Sequence, residues 1–293
     1  MDFNLLLREA GIAPEQVLLM RHRPWEPKLA RILPMLVENP VLFEAYQQYQ
    51  GPRVEASLLK KTYLASFIAD GPGRALFVGI YRINGHTERT VAQFWEEPHN
   101  QQLKTLGYEG YTADRFKPTD RVRRFDLPHH ETALSRWAGK LVVGWSSERS
   151  WCQHAGPAGR CPVIAIHEER AVAGPLPDPG ELVLRWPELQ VLSPSWAAGL
   201  RQWRGIYLIF DAASGLRYVG SATGKDNMLS RWRDYAASGD GGNKLLKGRD
   251  PAHFIFSVLQ LTAQDLPAAD VVQLEASWKN RLHSRYPHGL NEN

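Results

Sequence analysis

Apolar residues in the stretch 28–50 recur at helical spacing: Leu29, Ile32, Leu33, Leu36 and Val37, then Leu42, Phe43 and Tyr46, with Pro34 and Pro40 between them. Proline fixes φ and offers no N–H, so the stretch predicts short helices rather than one long one. The pattern then shifts to β. Residues 63–68 and 75–83 are apolar, β-branched and aromatic runs on either side of Asp70-Gly71-Pro72-Gly73, which is a hairpin signal. Residues 140–145, 162–167 and 181–186 are further strand candidates, separated by loops rich in Gly, Pro and charge. Together they predict an α+β domain, mixed helical and β-rich, with an antiparallel sheet.

The densest turn-forming segment is Ala173-Gly-Pro-Leu-Pro-Asp-Pro-Gly180, where a linker could start. An ordered pattern resumes over 182–203, so the boundary is predicted near residue 197, with residues 1–196 as one domain and 197–293 as a second. Two domains also suit a chain of 293 residues, because single cores stop growing at about 250–300 residues.

Past residue 203 the pattern becomes more specific. Gly205-Ile206-Tyr207-Leu-Ile-Phe210 and Leu216-Arg-Tyr218-Val219-Gly220 are two short β-patterned runs across Asp-Ala-Ala-Ser-Gly, a second hairpin signal. Residues 227–237 follow as a helix whose apolar positions are Met228, Leu229, Trp232 and Tyr235. A strand is predicted over 253–261, then a helix opened by Pro267 and running to about 284, with Glu275 in its middle. The chain ends His288-Gly-Leu-Asn291-Glu-Asn.

These residues resemble the GIY-YIG nuclease family. Gly205-Ile206-Tyr207 and Tyr218-Val219-Gly220 match its two strands, with Val where the family name has Ile. Arg231 matches the arginine of its first helix, Glu275 its metal-binding glutamate and Asn291 its terminal asparagine. The resemblance covers residues 203–293 and implies a small antiparallel sheet with flanking helices. A second Gly79-Ile80-Tyr81 has no Tyr-x-Gly behind it and reads as an ordinary strand. Each match alone has a plain structural explanation, Glu275 for instance as the i,i+4 partner of Lys279. The order and spacing of all five carry the resemblance.

The resemblance implies a DNA phosphodiesterase. Hydrolysis needs a positioned water and relief of charge on the phosphate oxygens. Arg231 offers a planar, permanently charged fork for two phosphate oxygens. Glu275 is the single carboxylate of the set, which suits one hard, largely water-coordinated cation, Mg²⁺ or Mn²⁺. By resemblance Tyr207 is the general base, although tyrosine ordinarily ionises near pH ~10. Tyr218 orients water or phosphate, and Asn291 either fixes a phosphate oxygen or braces the hairpin. Gly241-Gly242-Asn243-Lys244 reads either as a phosphate-contacting segment, through Asn243 and Lys244, or as a helix-ending turn. Arg233, on another face of the first helix, and Lys279 complete the residues expected near DNA.

Composition narrows the rest. At 43% hydrophobic and 23% charged the chain is neither fibrous nor disordered. No stretch approaches the ~20 apolar residues of a membrane span, and the start, Met-Asp-Phe-Asn-Leu-Leu-Leu-Arg-Glu, is not a basic segment before an apolar run, so a cytoplasmic location is expected. The net charge of +4 permits nucleic-acid binding without demanding it. Cys152 and Cys161 are too few for a disulfide scaffold; His154 and His167 lie nearby, but the spacing matches no tight zinc ligand pair.

The function these features predict is a Mg²⁺-dependent DNA endonuclease whose first domain selects the target, in restriction, repair or genome defence. A catalytically degenerate DNA-binding or sensing protein is the alternative. The oligomeric state is open, with a dimer suited to double-strand cutting. Trp25, Trp95, Trp137, Trp145, Trp151, Trp186 and Trp196 precede the predicted catalytic domain; most suit a core, and some could cradle a flipped base.

Overall fold

Residues 1–146, 150–157 and 159–292 are described by the computed structural model, and the chain divides between Gly174 and Pro175. The division precedes the boundary predicted near 197, because the strand Val183–Arg185 and the helix Pro194–Gln202 belong to the second unit. Among the described residues no helix is long and apolar enough to cross a membrane.

In the first unit Val17–His22 (β1) is buried at every position. Tyr63–Ala69 (β2) and Arg74–Arg82 (β3) form the predicted hairpin. Gly85–Thr90 (β4) and Arg121–Asp126 (β5) make a separate two-stranded ribbon. Leu141–Gly144 (β6), Cys152–His154 (β7) and Val163–Ile166 (β8) complete a six-stranded sheet of order β7-β1-β2-β3-β6-β8. The predicted all-antiparallel sheet needs correction: β1 runs parallel to β2, while the remaining pairs are antiparallel. Helices Pro27–Val37, Pro40–Gln47 and Pro52–Leu58 lie between β1 and β2 in the chain, supplying the long crossover that a parallel pair requires.

The first of these helices runs through Pro34. An interior proline costs ~3 kcal/mol, and here it is offset by burial of Leu29, Ile32, Leu33, Met35, Leu36 and Val37. Phe3, Phe67 and Phe77, with ring centroids 5.3 to 5.4 Å apart, lie in the main core. Tyr81 of the first Gly-Ile-Tyr lies buried in β3, its ring against His129.

In the second unit Val183–Arg185 (β9), Gly205–Asp211 (β10), Arg217–Ala222 (β11) and Phe254–Leu261 (β12) form an antiparallel sheet of order β11-β10-β12-β9. Alternation along β10 divides its two faces. Ile206 packs with Val219 and with Val271 of the helix Ala268–Arg281. Tyr207, on the other face, meets Trp232 and Tyr235 of the helix Asn227–Ser238. That helix ends at Gly239, which takes the left-handed conformation of a C-terminal cap.

Candidate active site

The hairpin register brings the two motif tyrosines together. Tyr207 pairs with Gly220, and Tyr218 pairs with Ile209, so both tyrosines rise from one face, with ring centroids 6.5 Å apart. The glycine of Tyr-x-Gly has a steric reason. A Cβ at position 220 would lie 2.4 Å from Tyr207 Oη and 2.5 Å from Cζ, so the Tyr207 ring occupies the space a side chain would take.

Tyr235, four residues after Arg231, joins the hairpin to its helix. Its hydroxyl lies 3.1 Å from Tyr207 Oη and accepts a hydrogen bond of 2.8 Å from Asn243 Nδ2. Tyr218 Oη donates to Asn243 Oδ1 at 2.9 Å. One amide therefore ties Tyr218 to Tyr235, and Tyr235 in turn meets Tyr207. Of the two readings of Gly241-Gly242-Asn243-Lys244, Asn243 uses its side chain on the tyrosines. Gly241 is required for the same contact, since a Cβ there would lie 2.5 Å from the Tyr235 ring. Lys244 is exposed, 3.5 Å from Glu292.

Arg231 stands beside this network. Its guanidinium carbon is 5.7 Å from the Tyr235 ring centroid, and Nη1 is 3.7 Å from Asp234. Burial pushes the Tyr207 phenol well above its ordinary pKa, and neighbouring Tyr218 adds to that. Arg231 opposes it, as does the hydrogen bond with Tyr235. Tyr218 is raised as well, first by burial; Tyr235 opposes, the Glu275 carboxylate adds to the rise and Arg231 opposes. Glu275 and Arg231 thus act on the same phenol from different helices.

Glu275 is partly buried and is held by Lys279, with Nζ 2.8 Å from Oε1. The lysine expected near DNA is therefore the partner of the carboxylate expected to hold the metal. Among the described residues no group of three or more His, Cys, Asp or Glu could hold a metal ion. A single carboxylate fits a cation that keeps most of its water, as Mg²⁺ does. Asn291 is buried and braces the hairpin: Oδ1 accepts from Val219 N at 2.9 Å and from Ser284 Oγ at 2.7 Å, and Nδ2 donates to Val219 O at 2.8 Å. Arg233 is exposed on the solvent side of its helix.

Tyr207, Tyr218 and Arg231 thus converge, Glu275 acts electrostatically on Tyr218, and Asn291 braces the hairpin at Val219. Tyr235 escaped the sequence reading, which counted it as one apolar helix position. The signal was its spacing: i+4 from Arg231 places both on one side of the helix.

The family model described as the GIY-YIG catalytic domain matches residues 204–287, so the second unit carries a GIY-YIG domain. Asn291 lies beyond the matched span. Among solved structures, the catalytic domain of the homing endonuclease I-TevI is similar at 22% identity, covering 31% of this chain and 98% of that chain, with a TM-score of 0.24. No match is found among curated proteins.

Proposed function

We propose that this protein is a divalent-metal-dependent DNA endonuclease, with chemistry at the GIY-YIG domain and target selection in the first unit. The observation that carries the reading is the convergence of Tyr207, Tyr218 and Arg231 around Tyr235 and Asn243. In this reading Arg231 grips the scissile phosphate in bidentate fashion. Having given its own proton to solvent, the Tyr207 phenolate, to which Tyr235 donates its hydroxyl, takes the proton of the attacking water; the bond from phosphorus to the 3′ oxygen breaks, and that oxygen takes a proton from solvent. Tyr218 positions the water or the phosphate. Mg²⁺ or Mn²⁺ on Glu275 would relieve the charge developing on the phosphate oxygens. Lys244 and Arg233 lie exposed and suit backbone phosphates, which position DNA without reading its sequence.

One observation favours the alternative of a DNA-binding module without chemistry: Lys279 already neutralises Glu275 at 2.8 Å. One experiment separates the two. Supercoiled plasmid is incubated with the protein, with and without Mg²⁺, and compared with Glu275→Ala. The nuclease reading expects Mg²⁺-dependent nicking that Glu275→Ala lowers by about 10² or more while DNA binding survives. Plasmid that is bound but left intact by the wild-type chain supports the alternative. Undiminished cutting by Glu275→Ala refutes the site.

A further inference from the structure

The first unit contains a cavity of about 270 Å³, enough for roughly nine waters at ~30 Å³ each. Its walls are aromatic: Tyr46, Tyr108, Tyr111 and Phe116 line it, and Trp25 and Trp151 stand at its rim. The tryptophans separate by role here. Trp145 and Trp196 are core residues, whereas Trp25 and Trp151 are 58% and 37% exposed.

Two carboxylates, Glu26 and Glu55, also line the cavity, and both are more than nine-tenths buried. Glu55 is paired with Arg123 at 3.0 Å. Glu26 is different: its side chain takes one backbone hydrogen bond, from Glu109 N to Oε1 at 3.1 Å. Buried carboxylates are normally paired, because an uncompensated charge is costly. Glu26 therefore has acceptor capacity facing a cavity walled by rings, which suits a flat ligand carrying N–H donors. Arg121 also lines the cavity, and Arg115 stacks on Trp25 at 5.3 Å. Both guanidiniums are exposed and paired, Arg121 with Glu88 at 2.8 Å and Arg115 with Asp114 at 3.7 Å, and exposed pairs of this kind are weak enough to turn toward an entering phosphodiester.

We propose that this cavity receives a nucleobase flipped out of DNA, one bearing an exocyclic amino group that donates to Glu26. The proposal rests on the nuclease reading for its choice of DNA, and names the target-selecting site of that same protein. Aromatic side chains stack on the faces of an extruded base, and a carboxylate accepts from an exocyclic amino group. Thymine has no exocyclic amino group; its one edge donor, N3–H, lies between two carbonyls whose oxygens would face the carboxylate, so it should bind more weakly.

The test uses the full chain in EDTA, so that binding is read without cutting. Fluorescence anisotropy compares a matched duplex with duplexes carrying cytosine, adenine or thymine opposite an abasic site, where extrusion costs least. Unpaired cytosine or adenine should bind about ten-fold or more tighter than the matched duplex and than unpaired thymine. Glu26→Gln should remove the discrimination against thymine. Trp25→Ala, at an exposed position that leaves the fold intact, should weaken binding of all unpaired duplexes. Equal affinity for all four duplexes, in a protein that still nicks plasmid with Mg²⁺, overturns the base pocket and leaves the nuclease reading standing. Neither binding nor nicking overturns both. Saturable binding of a trimethyl-lysine peptide that Trp25→Ala abolishes, with no preference among the duplexes, would make the cavity a cation cage and likewise overturn it.

Discussion

Removing one oxygen from Tyr207 separates chemistry from packing at this site. Tyr207→Phe keeps the ring, with its contacts to Trp232 and Tyr235, and deletes only the hydroxyl that lies 3.1 Å from Tyr235 Oη. Tyr235 Oη still receives the Asn243 amide at 2.8 Å, and its own O–H, which loses the Tyr207 oxygen, retains the neighbouring Tyr218 hydroxyl as a partner. The stability loss should then be the net worth of one neutral hydrogen bond, about 1 kcal/mol, or a Tm lower by about 5 °C in a unit of this size. Loss of a general base costs about 10²–10⁴ in rate, equivalent to roughly 3–5 kcal/mol of activation free energy at ~1.36 kcal/mol per decade. The kinetic effect should thus exceed the thermodynamic one severalfold. Initial rates of plasmid nicking with Mg²⁺, beside thermal unfolding followed by circular dichroism, measure both. Tyr81→Phe is the internal control: a buried tyrosine of the other Gly-Ile-Tyr, packed on His129 in a different sheet. Its rate should stay within a few-fold of wild type. Two variants equally active, or equally inactive while folded, would show that Tyr207 is not the base.

Gly220→Ala should damage the site through space rather than chemistry, since its Cβ would lie 2.4 Å from Tyr207 Oη. A destabilisation of about 1–3 kcal/mol and a fall in nicking rate are expected; wild-type values for both, from urea titration and the plasmid assay, would contradict the close packing described. In the first unit, burial lowers the His22 pKa from 6.5 to about 3. The unfolded state therefore binds the proton more readily, so stability is fully present above pH 6.5 and declines as pH falls toward 3. By pH 4 the loss should reach roughly 3 kcal/mol. His22→Leu should flatten this part of the profile in urea unfolding at pH 7 and 4, and an unchanged acid slope would mean that other groups cause it.

Much of the candidate site was legible through the resemblance, because its residues fall in the family's order along the chain. The periodicity then placed Tyr207 and Tyr218 on a hairpin and Arg231 and Glu275 on two helices. What escaped was the network joining them. Tyr235 has the sequence character of an apolar helix position, and only packing shows that its hydroxyl meets both Tyr207 and Asn243. Asn243 stood out in a glycine-rich turn, but nothing in the turn indicates that its amide points inward. β1 was missed for a related reason. A strand buried on both faces lacks alternation, so Val17-Leu-Leu-Met20 could equally be a piece of helix. Without β1, no parallel pair could be foreseen. Pro34 misled in the opposite direction, since a local rule against interior proline yields when most of a helix is buried.

The short strand β9 decides where the second unit can be cut free. Its three residues pair with Ile255, Phe256 and Ser257 on the outer edge of β12. A fragment starting at residue 197 would lose that cover and carry open backbone donors and acceptors along a strand containing Phe254 and Phe256. Such an edge is a template for joining another chain. Clumping of the shortened protein would then mimic inactivity, and a failed nicking assay on it would say nothing about Tyr207 or Glu275. Starting at Pro175 keeps the edge closed, so that a silent fragment would report on chemistry instead of on solubility.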